Sequence, residues 1–306
     1  MKIVTRFAPS PTGRLHLGHA YSALLAHRFA REQRGAFLLR IEDIDPGRSR
    51  DAFITGIEED LAWLGIGWDG PVVRQSQRLH LYSAALSQLK ARGLVYPCFC
   101  TRSEIAAEIA ASGAAPHGPD GPIYPGTCRP PRHPGESRDP RTQPSELLDP
   151  GCRPDDVDGR ACAWRLDMDA ALKQAGPLGW TDAEAGEIVA RPDRFGDVVL
   201  ARKDAPTSYH LAVTVDDAAQ GITDVIRGRD LFDSTDVHRL LQALLGLPTP
   251  RYHHHALLTG LDGRRLAKRN GAPSLADLRD AGAEPGKLRE DLLAGRLPAG
   301  YLAAAS

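Results

Sequence analysis

The chain has 306 residues, 42% of them apolar and 25% charged, an ordinary globular balance and enough length for one large domain or two smaller ones. A formal net charge of −1 excludes a uniformly basic nucleic-acid binder but leaves room for a local basic face. No apolar run approaches the roughly 18 residues a membrane span needs, and the start, MKIVTRFAPS, lacks the apolar core of a signal peptide, so a cytoplasmic protein without membrane contact is expected.

In chain order, KIVTRFAPS reads as a short strand running into a Pro-rich turn. HAYSALLAHRFAREQRG places Leu24, Leu25, Arg28 and Phe29 at helical spacing, with Gly35 as the stop. AFLLRIEDID reads as a buried strand that emerges into acids. DAFITGIEEDLAWLGIGWDG is a helix with a Gly-rich exit, and SQRLHLYSAALSQLKARG is another, with Leu79, Tyr82, Leu86 and Leu89 on one face. This alternation predicts an α/β protein with a parallel sheet. From Pro97 to about Pro192 loops and cysteines dominate, and the rhythm resumes at FGDVVLARKDAPTSYHLAVTVDDAAQGITDVIRG. STDVHRLLQALLG reads as a helix, and the tail from Leu275 as short helices. The expected organisation is therefore a catalytic domain in two halves, 1–97 and 193–245, an inserted subdomain over 98–192, and a C-terminal region over 246–306.

Within the insertion, RPPRHPGESRDPRTQPS has no apolar side chain except prolines and cannot bury a core. It reads as a solvated, partly disordered surface insertion near 129–150, with a basic RNA-binding arm as the alternative. Its RHPGESRDP wording resembles a repeat element inserted into unrelated bacterial genes.

Two motifs carry chemistry. His16 and His19 in HLGHA flank Gly18 between a strand and a helix N-terminus. A metal pair, a phosphate site at the helix N-terminus, where free N–H groups and the positive dipole end collect, and an ordinary strand-to-helix turn are all compatible with the residues. Gly18 suggests close approach of a ligand to the backbone. The second motif is cysteine. Five cysteines without a secretion signal favour metal binding over disulfides. Cys98 and Cys100 form a C-x-C, and Cys128 adds a third thiol, a set suited to structural zinc. Cys152 is a rival fourth ligand, and Cys162 reads as a small buried hydrophobe.

PSPTGRLHLGH resembles the first signature of class I aminoacyl-tRNA synthetases, in the form found in glutamate-type enzymes. The similarity continues through LLRIEDIDPGRSR, EDLAWLGIGWD, QSQRLHLYSAAL, SYHLAVTVDD, DVIRGRDL and RRLAKRNGA, in the family's order. The resemblance implies a Rossmann-like class I catalytic core with an inserted zinc-containing subdomain and a short helical C-terminal region. It implies that His16, His19 and Lys268 act in adenylate formation. ATP would be met by Pro9, Thr12, Gly13, His16, Gly18, His19 and Lys268, with Mg²⁺ accompanying the nucleotide. L-Glutamate would be met by Arg6, Ala8, Ser10, Glu42, Tyr209 and Arg227. Of these, Arg6 and Arg227 would pair carboxylates, because a planar guanidinium suits bidentate contact, and Glu42 would face the ammonium. Asp216 and Asp217 stand close by and could simply cap a strand end. In the second signature, RLAKR, Arg265 stands for the usual first lysine and Ala267 for the usual serine.

Tyr124, four residues before Cys128, resembles the fourth zinc ligand of one branch of this family. About 35 residues follow Arg269, too few for an anticodon-binding domain. With the cysteine pattern, this resembles the glutamyl-queuosine tRNA(Asp) synthetase family. That family activates glutamate without tRNA and attaches it to queuosine at the wobble position of tRNA(Asp). A monomer binding ATP, L-glutamate and queuosine-containing tRNA(Asp) is expected. A conventional glutamyl-tRNA synthetase core without its anticodon region, and a non-catalytic tRNA-binding paralogue, are the competing readings.

Overall fold

The computed structural model describes residues 2–111, 116–130, 157, 160–260, 273–296 and 301–303. The chain opens as expected. Strand β1 (Val4–Phe7) runs into the Pro-rich turn, helix α1 (Leu17–Glu32) follows, and β2 (Ala36–Ile41) returns parallel to β1 with Arg6 opposite Leu38. The buried face of α1 is mainly Leu17, Ala20, Ala23, Leu24, Ala26 and Ala30, and Arg28 is exposed. Small residues let the helix lie close on the sheet, which a stripe of large apolar spacing alone did not reveal. At its end it is Arg34 that takes the left-handed conformation, at φ 51°. Gly35 has a different duty: a Cβ there would sit 2.5 Å from the Ile3 carbonyl oxygen.

Helix α2 (Asp51–Trp63) buries Ile54, Ile57 and Leu61, and β3 (Val73–Arg74) adds to the outer edge of β2 in parallel. Helix α3 (Leu79–Ala91) buries Tyr82, Leu86 and Leu89 as their spacing predicts, while Leu79 lies exposed at the helix start. Then come β4 (Val95–Cys98), α4 (Arg102–Ala111), the short pair β5 (His117–Gly118) and β6 (Gly121–Pro122), β7 (Ala163–Leu166) and α5 (Met168–Ala175). They are followed by β8 (Gly179–Asp182), β9 (Gly186–Val189) and β10 (Val199–Ala201). Helix α6 (Tyr209–Ala219), β11 (Asp224–Gly228), α7 (Ser234–Leu245) and β12 (Arg251–His255) complete the second half. The C-terminal region holds β13 (Leu258–Gly260), α8 (Leu275–Asp280), α9 (Pro285–Leu293) and β14 (Tyr301–Ala303).

Strands β1, β2 and β3 form one parallel sheet, and β11, β12, β8 and β9 form a second, mixed sheet in which β9 alone is antiparallel. They join at Thr223, whose N–H donates to the Val4 carbonyl at 2.9 Å and whose hydroxyl accepts from the Val4 N–H at 2.9 Å. The lateral order is thus β3-β2-β1-β11-β12, with β8 and the antiparallel β9 beyond. The direction of winding reverses between β1 and β11. In such sheets ligands bind outside the carboxyl ends of the strands at that reversal.

Strand pairing crosses the boundaries expected from the sequence. β8 and β9, from the segment expected to be insertion, extend the parallel sheet, whereas β4 and β10 flank β7 in a separate antiparallel sheet. β12, in the expected C-terminal region, lies inside the parallel sheet. One apolar core fills the space between α1, α2 and the first sheet, and a second lies among α3, α5, α6 and α7.

Candidate active site

A cavity of about 580 Å³ opens at the reversal point. Every described residue of the expected substrate and nucleotide set lines it: Arg6, Ala8, Pro9, Ser10, Thr12, Gly13, His16, Gly18, His19, Glu42, Tyr209 and Arg227. They come from the carboxyl ends of β1, β2 and β11, the N-terminus of α1 and the start of α6. Lys268, Arg265 and Ala267 lie outside the described residues. Just beyond them in the chain, Ser274 forms a backbone bridge with His16, and the Leu275 N–H donates to the Leu15 carbonyl at 2.9 Å.

HLGH is a capping arrangement. The Nδ1 of His16, the N-cap of α1, accepts from the Gly18 N–H at 3.1 Å, and the Nδ1 of His19 accepts from the His16 N–H at 3.2 Å. Two N–H groups that a helix start leaves unsatisfied are thereby paired. A Cβ on Gly18 would meet the His16 ring at 3.1 Å. The glycine therefore makes room for an imidazole, and it also lines the cavity.

Beneath the cavity lies a charged cluster. Asp217 accepts from Arg6 Nε at 3.0 Å and pairs Arg40 at 2.8 Å, and Arg40 reaches Glu42 at 3.4 Å. Arg40 is wholly buried. Burial alone would raise the Asp217 carboxyl, but the guanidiniums of Arg6 and Arg40 outweigh it and hold it below the ordinary range. For Glu42 burial wins over the same two arginines and pushes the carboxyl up. Asp216 and Asp217 sit on α6 and cap no strand end. Asp216 accepts from Gln75, Arg78 and Tyr82 at 2.9, 2.7 and 2.7 Å, tying α6 to α3. The sequence carried a signal for this: two adjacent acids on the otherwise apolar run HLAVTV need buried partners.

Arg227 differs from Arg6. It is 5% exposed, yet no described carboxylate lies within ion-pair distance of it. Its Nε donates to His254 Nε2 at 3.0 Å, and one terminal nitrogen donates to Thr235 Oγ1 at 2.6 Å and the Leu231 carbonyl at 3.0 Å. The other terminal nitrogen has only longer contacts, 3.5 Å to the Tyr209 hydroxyl and 3.4 Å to His238 Nδ1. Burial raises the Tyr209 hydroxyl to about 12, so it is a neutral donor. His238 and His254, which sequence reading passed over, are held neutral first by burial and then by Arg227.

The expected zinc ligands also converge. The sulfurs of Cys98, Cys100 and Cys128 lie within 4.8 Å of one another. The Tyr124 hydroxyl is 3.4 Å from the Cys98 sulfur and 3.7 Å from that of Cys100, and accepts from the Cys128 N–H at 2.9 Å. Hydrogen bonding from Cys128 draws Cys98 down to about 4. The Arg165 guanidinium stacks 3.8 Å from the Tyr124 ring centre and adds positive charge. Three thiols and a phenol in this arrangement fit a structural metal ion. Cys162 is buried, as expected, and Cys152 lies outside the described residues. So does the insertion near 129–150, except its first two residues. Of these, Arg129 is no solvated arm: it pairs the buried Asp197 at 2.6 Å and Asp169 at 3.1 Å.

Comparison with known proteins agrees with this geometry. The model of the family described as tRNA synthetases class I (E and Q), catalytic domain, matches residues 2–129 and 137–300. The Glutamyl-Q tRNA(Asp) synthetase of Rhodobacter capsulatus is 49% identical over 294 residues, covering 94% of this chain and 98% of that protein. That of Symbiobacterium thermophilum is 45% identical, covering 92% and 82%. Among solved structures, a glutamate tRNA ligase from Elizabethkingia meningosepticum, in complex with its amino acid, superposes with a TM-score of 0.68 at 30% identity. The match covers 89% of this chain, which spans 53% of that ligase. The chain belongs to the class I tRNA synthetases of the glutamyl-Q tRNA(Asp) synthetase family.

Proposed function

We propose that this chain activates L-glutamate with ATP, without tRNA, and transfers the glutamyl group to queuosine at the wobble position of tRNA(Asp). The observation that carries the first step is Arg227, a buried guanidinium with no described carboxylate in contact, at the wall of a cavity that the N-terminus of α1 also lines. A buried cation left without a counter-ion is costly, and a carboxylate of the substrate supplies one. Glu42 then takes the substrate ammonium, Tyr209 donates to the substrate, and Ala8 and Ser10 complete the amino-acid pocket. Pro9, Thr12, Gly13 and Gly18 border the nucleotide.

In activation, an oxygen of the α-carboxylate attacks the α-phosphorus of ATP, and the bond to the β-phosphate oxygen breaks to release pyrophosphate. Because Nδ1 of both His16 and His19 accepts from backbone, the ring proton of each neutral imidazole sits on Nε2. Each can donate it to phosphate oxygens as charge gathers there. The α1 dipole and Lys268 add to that stabilisation, so catalysis is positioning plus electrostatics. ATP brings its own Mg²⁺. In transfer, a queuosine hydroxyl attacks the adenylate carbonyl and AMP leaves.

Cys98, Cys100, Tyr124 and Cys128 hold one structural zinc ion, which ties the end of β4 to the loop after β6. The test has two arms: glutamate-dependent ATP–pyrophosphate exchange without tRNA, and transfer of labelled glutamate to queuosine-containing against queuosine-free tRNA(Asp). Exchange without transfer to either would overturn the second step, and absence of exchange the first.

A further inference from the structure

Behind Arg227 stands a buried relay that the chemistry described above does not use. His254 Nδ1 lies 2.8 Å from Asp182 Oδ2, and both side chains are 1% exposed. His254 Nε2 lies 3.0 Å from Arg227 Nε. A guanidinium can only donate, so His254 Nε2 must accept and the ring proton must sit on Nδ1. An ionised carboxylate can only accept, so Asp182 is the group that holds the proton there. The three residues come from β8, β12 and β11, and the relay runs across the sheet from strand to strand.

We propose that Asp182 is a positioning residue for substrate selection. By fixing the His254 tautomer it clamps the Nε edge of Arg227 and aims the guanidinium's least-satisfied terminal nitrogen at the substrate carboxylate. The inference rests on the reading of Arg227 as the carboxylate partner of glutamate. The design has a physical reason. A carboxylate placed directly on Arg227 would neutralise it and compete with the substrate. An interposed neutral imidazole orients the guanidinium and leaves its charge for the ligand. Burial, reinforced by Arg227, keeps His254 neutral, with its titration down at about 3. The positive charge is then reserved for an anionic side chain, which glutamine cannot offer.

Asp182→Asn tests this role, with the KM for ATP as the readout that a general structural loss would also move. Asp182 Oδ1 accepts from the Glu184 and Ala185 N–H groups at 3.0 Å each, holding the β8–β9 turn, and Oδ2 also accepts from the His254 backbone N–H at 3.2 Å. Asparagine keeps Oδ1 but replaces Oδ2 with an N–H donor, which gives up that backbone bond, reverses the His254 tautomer and sets two donors against each other at Arg227. In glutamate-dependent exchange we expect the KM for glutamate to rise at least tenfold, the KM for ATP to change less than threefold, and the preference for glutamate over glutamine to fall. His254→Gln, whose amide can accept from Arg227 and donate to Asp182, should stay within threefold of the wild type, whereas His254→Leu should resemble Asp182→Asn. ¹⁵N-histidine NMR gives a readout independent of activity: the wild-type His254 resonances should report a protonated Nδ1 and a bare Nε2. A wild type that exchanges while Asp182→Asn keeps its glutamate KM overturns the proposal, as does a wild-type His254 protonated on Nε2. A wild type with no exchange overturns instead the reading on which it rests, while the NMR result still decides the relay.

Discussion

The rings of His16 and His19 lie with their centres 3.8 Å apart and their planes tilted by 34°, and each Nδ1 accepts a backbone N–H at the start of α1. The pair thus builds the helix start and lines the cavity with the same side chains. His19→Ala should lower glutamate-dependent exchange at least about tenfold, roughly 1.4 kcal/mol of transition-state stabilisation. It should also lose about 1 kcal/mol of cap stability. His16→Asn separates the two, because asparagine caps well but does not reproduce the Nε2 donor: its melting temperature should stay near the wild type while exchange falls. Full exchange in both variants would sink the assignment.

Glu42 is a carboxylate whose burial costs stability. Its raised native pKa means that the folded state binds its proton more tightly than the unfolded chain does. Stability from this group is therefore greatest below its ordinary value and falls as pH rises through the native one. Glu42→Gln should raise the melting temperature at pH 7.5 by ~1–3 °C and lose that advantage near pH 4. The same change should raise the glutamate KM, since the ammonium partner is gone. A melting temperature that drops at neutral pH would show that pairing with Arg40 outweighs desolvation.

Asp60 gives a second pH signature, away from the site. It is buried on α2, where desolvation pushes its carboxyl up to about 6 against the opposing charge of Arg279, 3.1 Å away on α8. The sign is again that of a raised acid: its contribution is fully present below about 4 and is lost as pH climbs through 6. Asp60→Asn should flatten the stability profile between those values, as thermal melts across pH 4 to 8 would show. An unchanged profile would contradict the burial argument.

The thiol cluster predicts one equivalent of tightly bound zinc by elemental measurement on the purified chain. Cys128→Ser should weaken that binding at least about tenfold and lower the melting temperature, because a site formed only in the folded state couples ligand binding to folding. Removing the metal with a chelator should have a similar effect on the wild type and little on the variant. A zinc-free wild type with undiminished stability would refute the assignment.

How legible all this was depends on how far apart in the chain the partners stand. The helices of the first half, the C-x-C, Tyr124 with Cys128 and the cavity residues Arg6 to His19 could be read locally or by resemblance. Their neighbours in sequence are also their neighbours in space. Asp217 could not be read as the partner of Arg6, because 211 residues separate them. His254 and Asp182 are 72 apart and meet only because β12 pairs with β8. The three consecutive histidines of RYHHH show why: strand geometry turns alternate side chains to opposite faces, so His253 meets Asp224 while His254 meets Arg227 and Asp182.

By itself the sequence determined the α/β alternation, the histidine motif at a strand-to-helix junction, and the family to which those motifs belong. These depend on spacing along the chain, which short-range geometry converts directly into structure. Only the tertiary structure decided which charges are balanced and which are not. Arg6 is held by a carboxylate, while Arg227, equally buried, is held by neutral groups. Charge compensation is set by distances across the sheet, and those exist only once the strands have found their order.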